Sequence, residues 1–250
     1  MISKIVKKEI YYGILSKSFF AFFLLFSSIV LFAFYTSDFF SETWYPNGTY
    51  VIMGFVFSTF SAAYGGYLAS IIFGWEFENN TIRSLVVYAS RRSVFWGKVF
   101  GALIIMAIQF ALSIFIVMII GTARGLDTLY FLHIFIQIFL AIYIFSLGAF
   151  TLSLMTAITF RKVAYSVITG VVYGLLSIMG FFILSNYYTP GITYLHIDYS
   201  YAWSPVHNIP YVIFAVIEWG IIPVWLAVYP IVWILPLLIT GEAYFRRCEL

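Results

Sequence analysis

Charged residues are scarce in this chain of 250 residues, at 9% of the composition, whereas a soluble domain carries about a quarter. Cysteine occurs once, as Cys248, which excludes an internal disulfide. The three histidines are scattered, and without a Cys/His cluster at metal-ligand spacing we expect no metal site. Apolar side chains make up 63% instead. This composition excludes a disordered chain, a soluble enzyme and a nucleic-acid-binding domain, and it indicates a lipid environment.

Six charge-poor stretches are long enough to cross the hydrocarbon core of a bilayer, which takes about 20 apolar residues. We place one span within each of the ranges 18–35, 50–75, 99–121, 129–160, 163–185 and 221–244. We interpret the first as a retained anchor rather than a cleaved signal peptide. A short apolar piece at 211–219 precedes the last span and is predicted to re-enter the membrane from outside. The sequence therefore predicts an all-α membrane protein with a single transmembrane domain over residues 1–250.

The distribution of basic residues predicts the orientation of these spans, because Lys and Arg concentrate in cytoplasmic loops. With six spans, 12 of the 13 basic residues fall on one side and only Arg124 falls on the other. We therefore expect a multi-pass protein of the cell membrane with both termini in the cytoplasm. Glu218 would lie near the outer boundary, either as a charge at headgroup level, which is the simpler interpretation, or as a candidate outer gate.

Two of the predicted cytoplasmic segments carry eight of the 13 basic residues. Residues 1–17 have the pattern of an amphipathic helix on the inner leaflet, with an isoleucine-rich face beside lysines. The loop 76–98 combines both charge signs with apolar residues, which is typical of a helix that docks into a soluble partner. The alternative is that its charges anchor helix ends at lipid headgroups. The candidate partner-contacting residues of this loop are Glu76, Glu78, Thr81, Arg83, Leu85, Arg91 and Arg92.

The order of residues in this loop carries a family resemblance. An acidic start is followed by an apolar helix, a Ser-Arg-Arg step and a lysine at the beginning of the third span; the matching residues are Glu76, Glu78, Thr81, Ile82, Leu85, Ser90, Arg91, Arg92 and Lys98. This loop resembles the one after the second helix in ABC-2 type permeases, the membrane subunits of one class of ATP-driven transporters. Asn80 stands where that family usually has glycine, and Ala89 stands near its usual proline. Ser204-Pro205 and the basic tail after the sixth span also look like the family's pattern.

The resemblance implies an elbow helix over residues 1–17, a coupling helix within 76–98, and an outer loop with a re-entrant segment over 186–219. It also implies a cytoplasmic ABC ATPase subunit, which would hold ATP and Mg²⁺, and a second permease copy or a paralogue. This chain has no P-loop, since Arg92 stands where Gly97-Lys98 would require glycine and Val99 replaces the Ser/Thr. We therefore expect no catalytic residue and no cofactor in the chain itself.

Small residues recur at every fourth position in the second and fifth spans, which permits close approach of helix backbones. The candidates are Ser58, Ala62, Gly66, Ser70, Gly170 and Gly174. Packing within the bundle is the simpler interpretation. A dimer seam or a translocation path is the alternative that the resemblance implies.

Ionisable residues are nearly absent within the spans, which argues against proton- or sodium-coupled transport. The function implied by the resemblance is export of a hydrophobic, lipid-like or peptide cargo, with ATP hydrolysed by a separate subunit. The alternative is a non-transporting ABC-like anchor or sensor that relays a conformational change, and the sequence leaves both open. An intramembrane enzyme has little support, because a His-Glu-x-x-His motif is absent.

Overall fold

The computed structural model describes residues 2–40, 59–123, 128–187 and 224–248. Throughout these ranges the chain is helical, with short turns and no strand. The predicted all-α class is therefore confirmed for the described part of the chain. Two parts of the sequence predictions lie outside the described residues: Ser58 of the small-residue pattern, and the segment 188–223, which contains Glu218 and the predicted re-entrant piece at 211–219.

The described helices follow the apolar stretches of the sequence. Helix α1 covers Ile2–Ile14 and α2 covers Lys17–Phe40. Residues 59–69 form α3, which continues without a break into a π-helical stretch, Ser70–Trp75, here called the π segment. Two short helices follow, α4 (Glu76–Glu78) and α5 (Thr81–Tyr88). The long helices are α6 (Arg91–Ala123), α7 (Thr128–Phe160), α8 (Val163–Tyr187) and α9 (Val224–Arg247).

Three stretches of the described helices are long and apolar enough to cross a membrane, namely Arg91–Ile116, Ile142–Phe160 and Val228–Arg247. A fourth is added if Ile2–Ile14 and Lys17–Ser28 form one span, although these two helices meet at a bend of 60°. Such helices are consistent with a membrane protein. A helix covers the described part of each of the six predicted spans, and the count of six stays a prediction.

Side-chain caps and one left-handed residue set the ends of the helices. Ser16 Oγ accepts a hydrogen bond from the Phe19 backbone N–H at 3.1 Å and caps the start of α2. Ser90 Oγ accepts one from the Ser93 N–H at 3.3 Å and caps α6 in the same way. Arg161, with φ of 57°, reverses the chain within the two residues that separate α7 from α8. The tight connection at Arg161 places α7 and α8 side by side.

Helix α6 lies at the centre of the bundle and packs against α1, α2, α7 and α9. Its inward face is fully buried along most of its length; it comprises Val94, Phe95, Val99, Ala102, Ile105 and Met106. The π segment packs against α7 and α8. The described core therefore joins early and late parts of the chain around one central helix.

The turn between α4 and α5 depends on Asn80, whose φ of 57° and ψ of 13° are left-handed. Asparagine adopts this conformation more readily than other residues with a side chain, and glycine adopts it freely. We expect Asn80→Ala to lower the free energy of unfolding by about 1 kcal/mol and Asn80→Gly to change it by only a few tenths. Thermal unfolding of the detergent-solubilised variants measures the difference. Equal losses for the two substitutions would contradict this account of the turn.

Candidate functional site

The charged residues of several helices meet at one end of the bundle, here called the charged end. It is formed by α1, the π segment, α4, α5, the first turns of α6 and the last turns of α9. Salt bridges connect α1 and α4 to α6, and α6 to α9. The residues predicted to contact a partner all lie on these elements, so the structure brings this part of the prediction to one place.

Lys98 is the centre of a buried ion cluster at the charged end, and its side chain has no exposed area. Its Nζ donates a hydrogen bond to Glu9 Oε1 of α1 at 2.9 Å and another to the Ile72 carbonyl of the π segment at 3.1 Å. The same Nζ lies 2.8 Å from Glu76 Oε2 of α4. One ammonium group therefore ties three elements to α6.

The cluster is close to electrically neutral, because a second lysine offsets the second carboxylate. Lys8 Nζ of α1 lies 4.0 Å from Glu76 Oε1, while Lys98 holds the other oxygen of that carboxylate. Burying a charge is costly unless the charge is paired. Two ammonium groups and two carboxylates satisfy that requirement. Loss of Lys98 would leave both carboxylates at this largely buried position with only the half-exposed Lys8 nearby.

A second ion cluster joins α6 to the end of α9 around Glu242, which is buried. Trp96 Nε1 donates a hydrogen bond to Glu242 Oε2 at 3.2 Å. Glu242 Oε1 lies 3.2 Å from Arg246 Nε and 3.6 Å from Arg92 Nε. Arg91 donates two hydrogen bonds of 2.7 Å to the carbonyls of Arg246 and Cys248, at the C-terminal end of α9. The start of α6 and the end of α9 are therefore fastened together.

Four phenylalanines pack at the charged end between the elements that carry these clusters. The ring centroids of Phe73 and Phe95 are 5.8 Å apart, and Phe245 lies 5.8 Å from Phe95 and 6.0 Å from both Phe73 and Phe77. Lys98 Nζ lies 5.8 Å from the Phe73 ring, within range of a cation–π contact. This packing excludes water around the ion pairs and strengthens them.

Helix α5 buries one face and exposes the other. Ile82 is fully buried, and Leu85 and Val86 are half-buried. Four residues of the opposite face are exposed, namely Arg83, Ser84, Val87 and Tyr88. Val87 is 79% exposed and Tyr88 is 78% exposed. An exposed cation beside two exposed apolar side chains is a surface that can bind a partner.

Helix α1 rests on α6 at two glycines spaced four residues apart. A Cβ atom added to Gly97 would lie 2.9 Å from Ile5 Cβ, and one added to Gly101 would lie 2.6 Å from Glu9 Cβ. Side chains at these two positions would push α1 away and separate Glu9 from Lys98. The isoleucine-rich face of residues 1–17, interpreted from sequence as facing the inner leaflet, is instead turned largely toward α6, with Ile5 buried and Ile10 and Ile14 half-buried.

The predicted small-residue stripes of the second and fifth spans meet each other inside one chain. A Cβ atom added to Gly170 of α8 would lie 2.6 Å from Gly66 Cα and 3.0 Å from the Ala62 carbonyl oxygen of α3. One added to Gly174 would lie 3.0 Å from the Thr59 carbonyl oxygen. Ser70, at the start of the π segment, is buried. This face of α3 is therefore occupied by α8.

The predicted partner-contacting residues have different environments. Glu76 is buried in the Lys98 cluster, whereas Arg91 and Arg92 bind α9. Thr81 Oγ1 donates a long hydrogen bond of 3.4 Å to the Glu76 carbonyl at the start of α5. Glu78 and Arg83 are exposed, and Leu85 anchors α5. The exposed members and the buried members therefore have separate roles.

Sequence reasoning missed Glu9, Glu242 and the burial of Lys98. Glu9 is the first acidic residue of the chain and is set among lysines, and Glu242 follows a long apolar stretch. An isolated acid in either setting is a signal for a buried ion pair. The four-residue spacing of Gly97 and Gly101 was a second signal, because it indicates a surface on which another helix can pack closely, as α1 does.

Metal ligands were not expected, and no group of three His, Cys, Asp or Glu residues that could hold a metal occurs in the ranges the structure describes. The chain matches no protein-family profile, and no curated protein matches it significantly. The functional argument therefore rests on the residues and contacts of the charged end.

Proposed function

We propose that this chain is the membrane subunit of an ATP-driven exporter of the ABC-2 type. A separate cytoplasmic ATPase subunit would bind to the exposed face of α5, which would act as the coupling helix. The observation that carries the proposal is the combination of an exposed docking face on α5 with the buried ion cluster directly behind it. A second copy of the chain, or a paralogue, would complete the transporter in the cell membrane.

The exposed face of α5 supports the docking step. Arg83 is exposed, and one turn further along the helix Val87 and Tyr88 present apolar surface. Tyrosine and arginine are the residue types that most often dominate the energy of protein–protein contacts. The buried Ile82 holds α5 against the bundle, so a partner would push on a fixed helix rather than on a loose loop.

The attachments of α5 support the transmission step. Its first residue follows a two-residue turn from α4, where Glu76 is paired with Lys98 of α6. Its last residue is separated by two residues from Arg91, which binds the end of α9. A displacement of α5 would therefore act on α3, α6 and α9 together. ATP-driven closure of the ATPase subunits would tilt these helices and change access to a pathway between the two copies.

The apolar character of the described spans supports a hydrophobic, lipid-like or peptide cargo. Apart from Lys17 and Asp38 of α2 and Arg161 and Lys162 between α7 and α8, the described charges lie at the charged end. This leaves the membrane-spanning parts with few groups that could solvate a small hydrophilic ion. Energy for transport would therefore come from the ATPase partner rather than from an ion gradient. Uptake of a labelled cargo into vesicles separates transport from a sensor that only relays a conformational change.

The docking step is tested with a variant confined to the exposed face of α5. We expect Arg83→Glu combined with Tyr88→Ala to weaken binding of the co-expressed ATPase subunit about tenfold or more, since loss of one anchoring contact costs on the order of 1–2 kcal/mol. Co-purification stoichiometry and ATPase activity of the reconstituted complex measure the effect. Glu76 is left unchanged, because its replacement would disturb the buried cluster.

A matched control changes the same residue types elsewhere among the exposed residues. Lys162→Glu combined with Tyr165→Ala removes an exposed cation and an exposed tyrosine at the start of α8. This control should bind the ATPase subunit as the unaltered chain does. Equal binding by the α5 variant and the control would show that α5 is not the docking element and that its charges serve as headgroup anchors.

A further inference from the structure

We infer that the exposed face of α1 is a binding surface for anionic phospholipid headgroups. The inference does not depend on what the chain transports or on an ATPase partner. It rests on three features of α1 and the start of α2: a charge imbalance that folding creates, the angle between the two helices, and exposed tyrosines beside the lysines.

The charges on the exposed face of α1 are all basic. Lys4, Lys7 and Lys8 of α1 and Lys17 at the start of α2 are exposed, and the acidic residue of this segment is Glu9. Glu9 turns inward and is paired with Lys98 of α6, 89 positions along the chain. Lys8 lies near Glu76, whereas Lys4, Lys7 and Lys17 present their positive charge at the surface. A basic surface of this kind complements anionic headgroups.

The bend between α1 and α2 places this face at headgroup level. The two helices meet at 60°, so α1 is inclined nearer to the membrane plane than to the bilayer normal when α2 follows that normal. Treating the pair as one span would carry these lysines into hydrocarbon, at a cost of several kcal/mol for each charge near the centre. Helix α1 is also held in place by its contact with Gly97 and Gly101, so the surface exists before lipid binds.

Two tyrosines extend the basic surface toward α2. Tyr11 and Tyr12 are 62% and 64% exposed, and Leu15 beside them is 58% exposed. Tyrosine rings favour the interface between headgroups and acyl chains. The order along α1 is therefore charge first and amphipathic rings second, which matches the passage from headgroup phosphate to the acyl boundary.

Lys8 connects this surface to the buried ion cluster. It is half-exposed, and its Nζ lies 4.0 Å from Glu76 Oε1. An anionic headgroup on α1 would compete with Glu76 for this ammonium. The lipid composition of the membrane would in this way influence the cluster behind α5.

The test measures lipid selectivity of the purified full chain in detergent by native mass spectrometry, with phosphatidylglycerol and phosphatidylcholine as probes. We expect tighter binding of phosphatidylglycerol to the unaltered chain. The triple variant Lys4→Gln, Lys7→Gln, Lys17→Gln should lose this preference by tenfold or more, since each lysine near an anionic surface contributes about a fivefold factor. Lys8 is retained because it also contacts Glu76.

The matched control removes three exposed cations at other positions, by Arg161→Gln, Lys162→Gln and Arg247→Gln. It has the same net charge as the test variant and should keep the preference for phosphatidylglycerol. Thermal unfolding of both variants checks that each is folded. Equal binding of the two lipids by the unaltered chain, or equal losses in the two variants, would overturn the inference.

Discussion

Replacing Lys98 with methionine is expected to lower the free energy of unfolding by about 3–5 kcal/mol, the loss typical of removing one partner from a buried ion pair. Methionine has a similar volume, so the loss is not one of packing. It arises because the buried Glu76 and the largely buried Glu9 would lose the ammonium that holds both at under 3 Å, with only the half-exposed Lys8 left nearby. Thermal or denaturant unfolding of the detergent-solubilised chain measures the effect.

The same cluster predicts a rescue that distinguishes charge from shape. Replacing Lys98, Glu9 and Glu76 all by methionine removes the ammonium and both carboxylates that it holds, and leaves the half-exposed Lys8, which water can solvate. Buried ion clusters replaced in this way often lose no stability. The triple variant should therefore recover most of what the single variant loses. Lys162→Met, at an exposed position, should stay within about 0.5 kcal/mol of the unaltered chain. A single Lys98→Met variant as stable as this control would contradict the proposed importance of the cluster.

Rescue of stability need not restore coupling. The methionine triple variant would retain the α5 surface but lose the ionic connection among α1, α4 and α6. If the ion cluster transmits motion, the variant would bind the ATPase subunit normally and show reduced transport. If the cluster only stabilises the bundle, both properties would survive, and the proposed transmission route would need to be abandoned while docking on α5 still stood.

The apolar spans and the position of the loop helix could be predicted from the sequence because each depends on local composition and periodicity. Burial of Lys98 could not be predicted in this way, because positive-inside reasoning treats a lysine at the start of a span as a headgroup anchor. Its environment is set by Glu9, which lies far away in the chain and arrives only when α1 packs on Gly97 and Gly101.

The candidate site shows the same division between local and long-range information. The predicted set around 76–92 lies at one end of the bundle, but the sequence could not separate its exposed members from its buried ones. Arg83 is exposed, whereas Arg91 donates hydrogen bonds to backbone carbonyl groups at the end of α9. That distinction requires knowing where α9 ends in space. Tertiary contact therefore decides which charges are available to a partner.

The second large effect is expected at the contact between α3 and α8. There a methyl group added to a glycine would meet backbone atoms, which cannot move aside as a flexible side chain can. We expect Gly170→Ala to lower the free energy of unfolding by about 1–3 kcal/mol, since the new Cβ would lie 2.6 Å from Gly66 Cα and the helices would have to separate. Alanine is otherwise the better helix former by roughly 1 kcal/mol. Because this preference offsets part of the steric cost, the measured loss of unfolding free energy would be smaller than the steric cost itself.

Gly241→Ala in α9 is the matched control, because the nearest atom to its added Cβ is the flexible Met155 Sδ at 3.1 Å. This variant should be neutral or slightly stabilised, so equal stability of the two alanine variants would contradict close packing of α3 on α8.

Gly66→Ala combined with Gly170→Ala should cost less than the sum of the two single losses, because one separation of the helices accommodates both methyl groups. A translocation path between α3 and α8 would require that separation, so in a transporting complex the double variant should alter transport more than it alters binding of the ATPase subunit.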